Sequence, residues 1–241
     1  MLKKVFRGFI LAALAAVFAC GDPSDSSAKR RSPGAATEAQ KDLVSDGASG
    51  LAIRDELPFG EISGETLNPS GLLQIGEKVA LVGKSASGRY WNRTIPLVRV
   101  RRSSGKEGWA PADYIIVDSV LAAVVEEQVT VFSRPSERSP AAGSLPFMTI
   151  LAIHRDSAAS DFVRFSSFDT SSGILYRGNY LQNHGLSSQL SNVESAILYR
   201  LALRTTAPAQ RKAFLNTALK DYPDSAFAPL IAQTLSAMKT P

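Results

Sequence analysis

Two histidines and one cysteine are the residues in this 241-residue chain best suited to nucleophilic or metal chemistry. His154 ends an apolar stretch and His184 lies beside a glycine. Neither has a second His, a Cys or a paired carboxylate at the spacing a metal cage needs. Glu126-Glu127 reads as a solvated charge pair, and no glycine-rich phosphate loop, nucleophile elbow or basic-aromatic stripe is present. These residue types predict a protein that is not an enzyme, with no metal and no cofactor. Recognition chemistry is better represented. Tyr90-Trp91 places two adjacent rings in a Gly/Ser-flanked stretch that reads as a loop, where they would meet a ligand. Trp109, after Gly108, reads as a second ligand shelf or as core filler, since a buried Trp removes about 150 Å² or more from water.

The cysteine has its own context. Lys3, Lys4 and Arg7 precede an apolar run from about Phe9 to Ala19. That run falls short of the roughly 20 residues a spanning helix needs and has the length of a secretory h-region. It ends in "VFAC", with "GDPSDSS" following. Small Ala19 before the chain's single cysteine resembles a bacterial lipobox. Phe18 stands where Ala, Ser or Thr is usual, as in the looser lipoboxes of spirochaetes. The resemblance implies that residues 1–19 are a signal peptide and that Cys20 carries the lipid. The chain would then be held on a membrane by acyl chains such as palmitate, two or three of which anchor far more firmly than one. The leader has three cations and no acid, so its removal lowers the net charge from +5 to about +2. The sequence therefore predicts no nucleic-acid partner.

The elements that must position the aromatic residues follow. Residues 20–48 are rich in Ser, Ala, Gly, Pro and charge and read as a disordered tether. From Gly50 short β-type runs alternate with turn residues: "GLAIR", "EKVALVG", "PLVRVRR" over 96–102, "KEGWA" and "ADYIIV". Leu51-x-Ile53-Arg54, Gly76-x-x-Val79, Val98-x-Val100, Gly105, Gly108-Trp109 and Asp113-Tyr114-Ile115 together resemble a bacterial SH3 domain. The resemblance implies a small β-barrel over 49–118 and adds Asp113 and Tyr114 to Tyr90, Trp91 and Trp109 as ligand-binding candidates. The same grammar recurs over 121–183, where "VTVFSRPSERSP" stands for the opening strand and Tyr180 falls 66 residues after Tyr114. Ile174-Leu175 stand where Gly108-Trp109 would be, so this second barrel is degenerate. Over 189–241 the period becomes helical, with Ser191 and Glu194 as a capping box and Pro208 opening a second helix. "FL...ALKDYPDSAFAPLIAQ" is similar to the turn of a tetratricopeptide unit. Those helices are too small for a core of their own and are expected to rest on the second barrel, under Phe162, Phe165, Phe168 and Tyr176.

The fold expected is β + α: two small SH3-like barrels in tandem, then a helical segment. A groove for proline-rich peptides is not expected, because the first strand, Leu51-Ala52-Ile53-Arg54, has no aromatic residue to floor it. The functional expectation is a non-catalytic lipoprotein of the bacterial cell envelope, periplasmic or at the cell surface. Its barrels would bind peptidoglycan or an envelope protein. The alternative is a structural adaptor whose helices dock a partner protein.

Overall fold

Alternating apolar residues on short strands curl into a first sheet. The computed structural model describes residues 46–170 and 172–238, so the leader, Cys20 and nearly all of the tether lie outside the described residues. The strands are β1 (Ser49–Ala52), β2 (Leu57–Ser63), β3 (Thr66–Leu73), β4 (Lys78–Tyr90), β5 (Arg93–Arg102), β6 (Glu107–Pro111) and, after a 3-10 turn at Ala112–Tyr114, β7 (Ile115–Val117). Their order is β3-β2-β6-β5-β4-β1-β7, and a parallel contact of Thr66 with Arg89 brings β3 against β4. Leu57, Phe59, Leu73, Val79, Leu81, Val98, Val100 and Ile115 fill the inside.

Three expectations change here. Five strands were expected and seven form, because "LPFGEISGETLNPSGLL" is a hairpin of β2 and β3. Prolines 58 and 69 and a register shift at Phe59/Gly60 hide its alternation. A Cβ at Gly60 would lie 2.0 Å from the Asn68 carbonyl oxygen, so this hairpin depends on glycine for its close approach. The stretch before 96 is not a loop: β4 and β5 pair as far as Tyr90 and Arg93. Trp109 is not core. Phe59 fills the space over Gly108, where a Cβ would come within 2.7 Å of its ring, and Trp109 lies half-buried on the next position.

The second sheet repeats the first. It comprises β8 (Ser119–Val124), β9 (Gln128–Phe132), β10 (Ala141–Pro146), β11 (Ile150–His154), β12 (Phe162–Asp169), β13 (Ile174–Gln182) and β14 (Leu186–Ser187), with a 3-10 turn at Asn183–Gly185 before the last. Its order, β10-β9-β13-β12-β11-β8-β14, is the first order with seven added to each strand. This register corrects the sequence alignment. "VTVF" is the counterpart of β2, not of β1, whose counterpart is β8. Trp109 pairs with Arg99 on β5 and Gly60 on β2, while Tyr180 pairs with Arg164 on β12 and Phe132 on β9. Tyr180 therefore occupies the position of Trp109, not that of Tyr114.

His154 sits at the end of β11 with Nε2 3.2 Å from the Ser166 hydroxyl. Burial, reinforced by the nearby Arg164 charge, lowers its pKa from 6.5. Protonation of the ring is thus harder in the folded chain than in the unfolded chain. The stability it contributes is fully present above about pH 6.5 and is lost as pH falls below that value. Urea midpoints should accordingly drop between about pH 7.5 and 5.5, and His154→Gln should flatten that slope. An unchanged slope in the variant would assign the acid sensitivity to other groups.

Three helices close the structure: α1 (Leu190–Arg204), α2 (Pro208–Asp221) and α3 (Ala228–Ala237). The Ser191–Glu194 capping box does not form, since α1 begins at Leu190 with no side-chain cap. Asn192 takes over the junction: its Nδ2 donates to the Ser187 hydroxyl at 2.7 Å and its Oδ1 accepts from the Ala226 N–H at 2.8 Å. The helices rest on the second sheet, but on Ala123, Met148 and Ile150 rather than on the predicted aromatics. Phe147 meets Phe227 edge-on at 4.9 Å, and Ile75 from the first sheet joins the same core. Phe165 and Tyr176 stay inside the second sheet, whereas Phe162 packs against Phe132.

The two sheets also touch each other. Leu51, Ile53 and Ile116 pack with Ala152, and Tyr114 meets Phe168 edge-on at 5.4 Å with the Arg54 guanidinium over both rings. Both sheets and the three helices accordingly lie in one compact unit.

Candidate functional site

The five predicted ligand residues separate into three places. Asp113 and Tyr114 are used internally: Asp113 accepts from Arg177 at 2.9 Å, across the sheet boundary, and Tyr114 packs on Phe168. They join the two sheets.

Tyr90 and Trp91 stand at the end of the β4–β5 hairpin. Trp91 and Asn92 form its two-residue turn, with φ of 46° and 60°. Left-handed backbone at both central positions suits the right-handed twist of a hairpin, and Asn or Gly normally supplies it. A bulky residue there costs on the order of 1–3 kcal/mol. Trp91 is 83% exposed and its ring stacks on Tyr90, with centroids 5.4 Å apart and planes 12° apart. The tip is a stacked pair of rings, the Trp91 ring exposed and the Tyr90 ring half-buried.

Trp109 belongs to a different surface. Ladder partners lie on the same side of a sheet, so Trp109 and Arg99 stand side by side. Glu107, two residues earlier on that side, pairs with Arg101 at 2.8 Å and Arg99 at 3.3 Å. The hydrogen bond from Arg101 is the main reason its carboxyl is held below the usual range. One carboxylate cannot occupy the donors of two guanidiniums, each of which has five N–H groups. The second sheet shows the same pair at Tyr180 and Arg164, with Arg164 bonded to Asp156 at 2.9 Å. Both rings are half-buried, each with an arginine as its ladder neighbour. Arg99, Arg164 and Tyr180 were missed by sequence reasoning. The signal available was the aromatic-arginine pairing itself, which becomes visible once Tyr180 is set against Trp109.

A cleft of about 550 Å³ lies between the second sheet and α1, walled by Phe147, Met148, Phe168, Tyr199 and Leu203. The guanidiniums at this cleft, Arg200 and Arg204, are bound to the buried Asp55 at 2.8 and 3.1 Å. Among the described residues no three His, Cys, Asp or Glu side chains gather as a metal cage requires.

No protein-family model and no curated protein matches the sequence. Among solved structures the chain is similar to NlpC2 from Trichomonas vaginalis, at 14% identity and a TM-score of 0.24, covering 66% of this chain and 56% of that one. It is similar to NlpC1 from the same organism at 14% identity and a TM-score of 0.23, covering 66% and 53%. The chain thus spans little more than half the length of those two proteins. A third similarity is to the CBD of the endolysin LysPBC5, at 11% identity and a TM-score of 0.22, covering 59% of this chain and 93% of that one.

Proposed function

We propose that this chain is a non-catalytic, lipid-anchored binding protein of the bacterial envelope, made of two fused SH3-like barrels buttressed by helices, and that its ligand is peptidoglycan. The observation that carries this reading is the repeated pair, Trp109 beside Arg99 and Tyr180 beside Arg164. A half-buried ring offers a flat apolar face to the C–H side of a sugar while its polar edge stays wet. A neighbouring guanidinium presents a planar fork that fits the carboxylates of a stem peptide. Two such pairs fixed in one body would engage a repeating polymer with more avidity than either alone. The anchor is the lipid proposed for Cys20, which would keep this surface at the membrane face of the wall.

The test uses residues 36–241, which retain every described residue. They should sediment with purified sacculi, and Trp109→Ala with Tyr180→Ala should weaken retention by about tenfold or more, the scale of an interface hot spot. Melting curves of the variants separate lost binding from lost folding. Wild-type protein left in the supernatant would overturn the peptidoglycan reading and leave an envelope protein as the ligand. A structural adaptor is the second reading, with Leu190 and Leu203 on α1, 68% and 54% exposed, as its contact.

A further inference from the structure

We infer that the β4–β5 hairpin tip is a membrane-contacting finger, with Tyr90 and Trp91 entering the interfacial layer of an anionic phospholipid bilayer and Arg89 and Arg93 meeting the headgroups. Three independent observations point to this partner. The first is shape. The rings sit on a two-residue turn, and Trp91 is 83% exposed. A bound ligand is normally enclosed by a concave site, whereas a protruding pair of rings suits a soft, deformable partner. Tyr and Trp, apolar in body and polar at one edge, are the residues enriched at the membrane–water boundary.

The second observation is charge. From Lys78 to Lys106 the chain has eight Lys or Arg and no Asp or Glu. Near the base three of these cations have a carboxylate beside them: Arg99 and Arg101 share Glu107, and Arg102 pairs with Glu77. At the tip Arg89 and Arg93 are exposed and have no ion-pair partner among the described residues. Glu65, on the adjacent β2–β3 turn, touches Arg89 through its backbone, its carbonyl accepting the Arg89 N–H. Unpaired cations beside exposed aromatics complement an anionic leaflet.

The third is backbone. Trp91 occupies a left-handed position at φ 46° where Asn or Gly would be cheaper, so the fold keeps an exposed indole there at a conformational cost. This inference is independent of the glycan surface, since Trp109 and Tyr180 are not part of the tip.

Residues 36–241, which lack any lipid and the basic Lys29-Arg30-Arg31 segment, should sediment with vesicles of phosphatidylglycerol and phosphatidylethanolamine and much less with phosphatidylcholine alone. In a Trp109→Phe background Trp91 is the single indole, and its emission should shift to the blue on vesicle addition. Trp91→Ala should lower the partition coefficient about tenfold. Arg89→Gln with Arg93→Gln should lower it about thirtyfold and flatten its salt dependence. Both tip variants change exposed residues, so their melting should match that of their parent. Vesicle binding unchanged by Trp91→Ala, or no blue shift, would overturn the inference. If Trp91→Ala instead abolishes retention on sacculi with no vesicle binding in the parent protein, the tip is a wall contact. Loss of sacculus binding in the Trp109/Tyr180 variant alone would bear on the proposed function and leave the finger standing.

Discussion

Replacing Phe227 by Ala should lower the stability of residues 36–241 by about 3–5 kcal/mol, the range for emptying a buried aromatic site. Phe227 is fully buried between the helices and the second sheet, edge-on to Phe147 at 4.9 Å. Ile231, Leu215 and Met148 share its core, and Ile75 reaches that core from the first sheet. Loss on this scale is a large part of the 5–15 kcal/mol typical of a folded domain. Because one core draws on all three parts, the loss should spread through them. Far-ultraviolet circular dichroism follows the helices, and the half-buried Trp109 reports on the first sheet. Both traces should shift to lower urea by the same amount. A shift in the helical signal alone would show that the helices detach from an unaltered pair of sheets.

Asp55→Ala should cost about 3 kcal/mol, the lower end for breaking a buried ion pair. The Asp55 side chain is 2% exposed, accepts from Arg200 at 2.8 Å and lies 3.1 Å from the Arg204 guanidinium. Most of the expected loss is the desolvated Arg200 charge left without its partner. Arg204 is more exposed and keeps Glu56, 2.6 Å away. The double variant Asp55→Leu with Arg200→Met removes both buried charges and should recover part of the loss. If the double variant is as unstable as the two single losses added together, the pair is not coupled and the contact between β1–β2 and α1 is incidental.

Much of this architecture was legible in the sequence because period and punctuation carry it. The Val98-x-Val100 strand, the glycine turn at Gly105, and Pro208 at the start of α2 appear where residue types required them. The repeat was legible too, but its register was not. Tyr114 and Tyr180 share a residue type without sharing a place, and ladder partners alone set Tyr180 beside Arg164 as Trp109 is beside Arg99. Hairpin β2–β3 was hidden by prolines and glycines that normally mark loops, tolerated here at a register shift.

The surroundings of the candidate site residues were legible only in part, for a physical reason. Exposure of Trp91 followed from its local sequence, since a hairpin end has little to bury a ring against. Tyr114 and Asp113 looked equally available within the first sheet. Their partners, Phe168 and Arg177, come from the second sheet and lie more than 50 residues away, beyond what local pattern reports. Trp109 failed as core because Phe59, on the concealed hairpin, had already taken the space over Gly108.

The central claim is that the paired aromatic and arginine positions of the two sheets form the ligand surface. Soluble peptidoglycan fragments titrated into isotope-labelled residues 36–241 test it directly by amide and indole chemical shifts. Saturable changes are expected at Arg99, Glu107 and Trp109 and at Arg164 and Tyr180, with Asp113 and Tyr114 silent. Changes absent from both pairs, or confined to the Tyr90-Trp91 tip, would contradict it.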